Sequence, residues 1–181
     1  LTASRLLADA KVGVIAWSGT SASWLGSDWD KALCEAILAD TGIPACTAIG
    51  AINELISFCD SPRIGLVSPY TPDVQDRIIA NYAGQGIEVA AEAHAGLSEN
   101  FAFSEVSEDE VRAMCREVAR ARPSAIVIMC TNMRGWSFMA ELEAELGIPV
   151  IDSTAAVVWK CLAILGVDRS PLARRGWMFG R

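Results

Sequence analysis

"AIVIMCTNMRGW", residues 125–136, decides how the chain is read. Its first half is an unbroken apolar run rich in β-branched residues, the mark of a strand buried on both faces of a parallel sheet. The run stops at Cys130, and the polar and glycine residues that follow signal a turn before a helical pattern at 135–147. An echo lies near the other end of the chain. "VIAWSGTSASWL" (14–25) and "IVIMCTNMRGWS" (126–137) both run from an apolar strand to a small or thiol residue, then Thr and a polar residue, then a helix. "GIPACTA" (42–48) follows the first and "GIPVIDSTA" (147–155) the second. The duplication predicts two similar α/β lobes with a site between their strand ends, where ligands bind in open α/β sheets.

The rest of the chain keeps the same alternation. Strands are read at 11–17, 43–49, 63–69, 87–96, 125–130 and 149–154. Helices are read at 27–42 (Ser27 or Asp28 as N-cap, Gly42 as stop), 50–59, 71–86, 107–123, 135–147 and 155–166. Ser107 and Glu110 form a capping box for the helix at 107–123. Strands separated by helices of this length mean βα units and a parallel sheet. The expected fold is α/β with two pseudo-symmetric lobes: 1–62, 63–162, and a C-terminal segment at 163–181 packing back on the first lobe.

Composition narrows the function classes. Hydrophobic residues make up 52% of the 181 and charged residues 20%, a globular balance with no sign of disorder. The net charge of −7 and the lack of a Lys/Arg cluster argue against a nucleic-acid surface. No apolar run reaches the roughly 20 residues of a membrane-spanning helix. Six cysteines form no C-x-x-C pair and there is one histidine, His94, so neither a metal site nor a disulfide framework is expected. Reduced thiols fit a cytoplasmic protein. Cys34, Cys46, Cys59, Cys115 and Cys161 read as core or helix-face residues, and His94 as a structural histidine within a strand.

Three stretches place hydroxyls, an amide or a thiol just past a strand: Ser18-Gly19-Thr20-Ser21, Ser68-Pro69-Tyr70-Thr71 and Cys130-Thr131-Asn132. Backbone N–H groups at helix starts bind anions, and hydroxyls extend such sites. A carboxylate held by several donors can carry the negative charge that develops during a reaction. A thiol at a helix N-terminus has a lowered pKa and exchanges protons near neutrality. Plainer readings stand beside these. Cys130 alone would serve as a strand-end hydrophobe, Thr20 or Ser21 as a helix N-cap, Tyr70 as turn packing, and Asn100 as a turn residue. Trp17, Trp24 and Trp136 lie near the loops, as pocket walls or as core. Arg134 is either a partner for a second carboxylate or a surface cap.

On "GTSASWL" (19–25), "RIGLVSPYTPDVQDRI" (63–78), "GLSENFAF" (96–103), "CTNMRG" (130–135) and "LGIPVIDSTAAVVWKCL" (146–162), the chain resembles the aspartate/glutamate racemase superfamily. Within it the likeness is to the maleate isomerase and arylmalonate decarboxylase group. The resemblance implies a two-lobed fold, no metal or organic cofactor, and chemistry at the carbon next to a carboxylate. It implies Cys130 as the catalytic thiol. Thr20 and Ser21 would bind a carboxylate, with Tyr70 hydrogen-bonded to it. Asn100 would stand in the site and Thr131 would lend its backbone N–H.

Two departures from the family pattern shape the expectation. Racemases and maleate isomerases carry a first-lobe cysteine where this chain has Gly19, and Gly with a single second-lobe cysteine is the decarboxylase pattern. Yet "CTNMRG" is closer to the isomerases than to the decarboxylase's Gly-rich turn. The resemblance also implies further N-terminal strands before Lys11, which this chain does not contain. The leading expectation is a decarboxylase-like lyase or isomerase of small carboxylates, with an enediolate protonated by Cys130. Maleate isomerisation, racemisation and non-catalytic dicarboxylate binding are the alternatives. A homo-oligomer is compatible with all of them.

Overall fold

Every apolar run read as a strand contributes one, and all the strands pair in parallel. The computed structural model describes residues 1–26 and 28–181. Ser27, one of the two residues read as an N-cap, lies outside the described residues. A small sheet pairs β1 (Ile15–Trp17) with β2 (Ala45–Thr47). A larger one runs in the order β4 (Glu88–His94), β3 (Arg63–Ser68), β5 (Ala125–Ile128), β6 (Val150–Asp152). The order is not sequential because helices cross between parallel neighbours. β5 sits inside the larger sheet, and all four of its side chains are buried, as its unbroken apolar run requires.

The helices are α1 (Thr2–Asp9), α2 (Ala22–Leu25), α3 (Asp28–Thr41), α4 (Ala48–Ile56), α5 (Pro72–Gly84), α6 (Asn100–Phe103), α7 (Glu108–Ala119), α8 (Met139–Leu146) and α9 (Ser153–Ile164). Short 3-10 turns at Ser170–Arg175 and Trp177–Gly180 close the chain. α4 starts at Thr47, whose hydroxyl accepts the Gly50 N–H, and buries Ile49, Ile52, Leu55 and Ile56. α9 packs on α4 and reaches both β2 and β6, so it ties the two sheets together. The C-terminal turns contact α8 and α9. Glu143 accepts the Trp177 N–H, and Trp136 stacks edge-on to Phe179. Among the described residues, no helix is long and apolar enough to cross a membrane.

The boundaries differ from the sequence reading in places that matter for the site. The strand expected from residue 11 begins at Ile15, because α1 occupies residues 2–9 and Lys11 takes a left-handed φ of 54° just after it. α1 starts at Leu1 with no capping side chain, so it carried no start signal. The run 125–130 is strand only to Ile128, and the helix expected from 135 starts at Met139. Gly135 lies in the turn between them, packed so closely that an added Cβ would meet Asp152 Oδ2 and Ile128 Cδ1, each at 2.6 Å.

α7 realises its capping box in full. Ser107 Oγ accepts the Glu110 N–H while the Glu110 carboxylate accepts the Ser107 N–H. Ser107→Ala removes the first of these bonds and is expected to lower stability by about 1 kcal/mol, read as a reduced urea midpoint with an unchanged m-value.

Candidate active site

The ends of β1, β3 and β5 converge on one cleft of about 320 Å³. It is lined by Gly19, Thr20, Ser21, Tyr70, Asn100, Cys130 and Thr131, the complete set expected from the sequence. Trp17, Trp24 and Phe103 supply apolar walls. Trp136 faces Phe179 instead, and Arg134 is exposed outside the cleft.

The floor is a short hydrogen bond. Thr20 Oγ1 and Tyr70 Oη are 2.6 Å apart, and both residues are only 6% exposed. Tyr70 is held by its ring edges, with Trp24 at 5.0 Å and Phe103 at 5.4 Å between centroids. Burial pushes the phenol's pKa well up, so Tyr70 stays a neutral donor. Neither hydroxyl of the Thr20-Ser21 pair serves as a cap. Thr20's is engaged by Tyr70, and Ser21 precedes α2 with helical dihedrals and no side-chain capping bond.

Cys130 lies two residues beyond β5 and is 4% exposed. Its backbone N–H donates to Ser153 Oγ at 3.1 Å, and that hydroxyl donates to the Ile128 carbonyl at 2.6 Å. Its sulfur accepts the Asn132 N–H at 3.4 Å. Burial raises the thiol's pKa and dominates. The Asn132 and Met133 N–H groups and the Tyr70 hydroxyl oppose it, while the Asp152 carboxylate adds to it. This corrects the expectation of a lowered pKa at a helix N-terminus: α8 begins only at Met139, too far on for its dipole to reach the sulfur. At neutral pH Cys130 is a thiol that holds its proton.

Thr131 donates from Oγ1 to the Ser18 carbonyl at 3.2 Å, joining the β5 end to the β1 end. Asn100 begins α6, and its side-chain and backbone oxygens accept from Asn132 Nδ2 at 2.8 and 3.1 Å. The sequence reading named Asn132 only within the Cys130-Thr131-Asn132 stretch, with no role of its own, and did not single out Ser153 or Asp152. Asn132 had the clearest signal, since it shares the turn with Cys130. Asp152 caps α9 through Oδ1, which accepts the Ala155 N–H at 2.8 Å. Burial pushes its carboxyl up to about 6, against opposing N–H groups of Ala155, Thr154 and Gly135. His94 lies elsewhere, paired with Glu92 at 2.8 Å, and Glu92 also accepts from Gln75. Among the described residues, no three His, Cys, Asp or Glu side chains come close enough to share a metal ion.

Two outcomes follow from this geometry. Tyr70→Phe leaves the Thr20 hydroxyl without its buried partner and is expected to lower stability by roughly 1–2 kcal/mol in a denaturant melt. For Asp152 the folded-state pKa of about 6 lies above the ordinary 3.8, so folding favours the neutral form. That contribution is fully present below the ordinary carboxylate range and is lost as pH rises through about 6. Asp152→Asn keeps an oxygen for the cap and removes the charge. Thermal melts should match the unsubstituted chain near pH 4 and exceed it at pH 7.5, by on the order of 2 kcal/mol.

The comparisons with known proteins agree with this architecture. The family model for arylmalonate decarboxylase matches residues 1–178. Arylmalonate decarboxylase of Bordetella bronchiseptica is 25% identical over 166 residues, covering 90% of this chain and 69% of the relative. Maleate isomerase of Nocardia farcinica is 24% identical over 166 residues, covering 88% and 66%. The chain thus spans about two thirds of the length of these curated relatives. Among solved structures, a variant of the maleate isomerase Iso from Pseudomonas putida S16 with maleate superposes with a TM-score of 0.87 at 21% identity, covering 97% of this chain and 73% of that one. A double variant of arylmalonate decarboxylase in the liganded form gives 0.83 at 23%, covering 90% and 71%. With a parallel α/β fold, a cleft at the strand ends and a family match across nearly its whole length, the chain belongs to the arylmalonate decarboxylase family.

Proposed function

We propose that this chain acts at the carbon next to a carboxylate of a small diacid, losing carbon dioxide and protonating the resulting enediolate from Cys130. The observation that carries this reading is the make-up of the cleft: Cys130 lines it together with the Gly19-Thr20-Ser21 loop, and among the described residues no other cysteine does. Membership of a family whose curated relatives are named as a decarboxylase and as isomerases supports an enzyme of this class.

The chemistry follows from the groups present. One substrate carboxylate would sit against the hydroxyls of Thr20 and Ser21 and the Tyr70 hydroxyl. The bond from the α-carbon to the other carboxylate breaks, carbon dioxide leaves, and the electron pair spreads onto the retained carboxylate. The donors around it stabilise charge that grows in the transition state. The Cys130 S–H gives its proton to the α-carbon. The thiolate left behind is met by the N–H groups of Asn132 and Met133 and by the Tyr70 hydroxyl. These lower its energy at the moment it forms, and a solvent proton then restores the thiol.

Maleate isomerisation is the second reading. It is favoured by the Asn100–Asn132 pair in the cleft, since the resemblance places an asparagine at this position in maleate isomerases. Against it stands Gly19, where the resemblance places the first-lobe cysteine that serves isomerases as nucleophile.

The test is carbon dioxide release from phenylmalonate, run beside the conversion of maleate to fumarate. Cys130→Ala should lower decarboxylation by roughly 100- to 10,000-fold, the usual worth of a positioned proton donor. Activity of the unsubstituted chain should fall as pH rises above the ordinary thiol range, because the donor loses its proton there. Undiminished turnover in Cys130→Ala would remove the thiol from the mechanism. Maleate turnover without carbon dioxide release would replace the first reading with the second.

A further inference from the structure

Trp17 is the last residue of β1, and its ring lies back over the loop that follows. A Cβ added at Gly19 would lie 2.7 Å from Trp17 Nε1, 2.8 Å from Cε2 and 3.0 Å from Cζ2. The first two are shorter than real Cβ contacts, and the third is at the tight edge of them. The edge of the indole therefore occupies the space where any side chain at position 19 would start. Both residues line the cleft that holds Cys130. Trp17 is 49% exposed, so burial in the core does not hold the ring there. It rests over the bare Cα of Gly19 because nothing projects from that atom.

We propose that Trp17 is the specificity-determining residue of the cleft, filling the β1 side with an indole edge where a side chain at position 19 would otherwise face the ligand. This rests on the decarboxylase-type reading and deepens it. The indole N–H donates a hydrogen bond but does not take up or release protons in water. A ligand held between the strand ends thus has one proton-transferring group, Cys130, and a flat proton-inert wall on the β1 side. Positions 17 and 19 are coupled: a side chain at 19 requires the indole of Trp17 to move.

Two measurements test this. In a 15N-labelled chain, Trp17→Phe identifies the Trp17 indole N–H among those of the six tryptophans. In the unsubstituted chain that proton should show a nuclear Overhauser contact to the Gly19 α-protons, and Gly19→Ala should shift its signal while the other five stay in place. No contact and no shift would overturn the placement. The second measurement is a double-variant cycle on the kinetics of phenylmalonate. Trp17→Ala and Gly19→Ala each remove the same wall, so each should raise KM about tenfold with less change in kcat. The pair together should do no more than either alone. Additive effects, or an unchanged KM in Trp17→Ala, would overturn the specificity role. If phenylmalonate is not turned over at all, the decarboxylase reading falls, and the indole signals still decide where Trp17 sits.

Discussion

The hydrogen bond between Thr20 and Tyr70 is the contact on which the cleft depends. It joins residues fifty apart in sequence and belongs to the ends of two different sheets. Being buried, it is shielded from competing water, and loss of either partner would leave the other hydroxyl buried without its bond. Thr131 adds a second tie to the Ser18 carbonyl, and α9 adds a third by packing on elements of both sheets. The cleft is therefore a fixed junction between strand ends. Its donors are set in position by the fold before any ligand arrives, which is the condition for electrostatic stabilisation of a reacting carboxylate.

The electrostatics around Cys130 follow from the same geometry. A cysteine at the end of a fully buried strand is itself buried, and desolvation penalises its anion. Placing Asp152 nearby increases that penalty. The N–H groups of the turn and the Tyr70 hydroxyl work in the opposite direction without prevailing. The outcome is a thiol that keeps its proton near neutral pH and lies beside hydrogen-bond donors that would stabilise its anion. Cys115 lacks that second feature: burial pushes it up to about 12, with only the charges of Arg116 and Arg112 against it.

Much of this was legible in the sequence because the site repeats a local pattern. An apolar run followed by small and hydroxylated residues marks a strand end, and its recurrence at 14–25, 63–71 and 125–132 brought Thr20, Tyr70 and Cys130 into one cleft. What escaped were relations between distant residues. Ser153 supports Cys130 across 23 positions, and nothing in "IDSTA" announces it. The thiol's pKa runs opposite to the expectation because the helical pattern reads from Gly135, whereas α8 starts at Met139 and burial dominates at the sulfur. The ring of Trp17 lying over Gly19 is likewise a matter of side-chain rotation, which no periodicity encodes.

Ser153 does more than hold a neighbour. Its hydroxyl accepts the Cys130 N–H and donates its own O–H to the Ile128 carbonyl, so one side chain stands in for the next rung of the ladder after β5 stops. Because Ser153 is the first residue of α9, the thiol's height above the sheet is geared to the root of that helix. The same helix carries Cys161, whose sulfur lies 3.7 Å from Cys46 in β2. α9 thus runs from the hydroxyl that holds the Cys130 backbone to a flank packed against the small sheet, so a substitution that displaces this helix would be felt on both sides of the cleft.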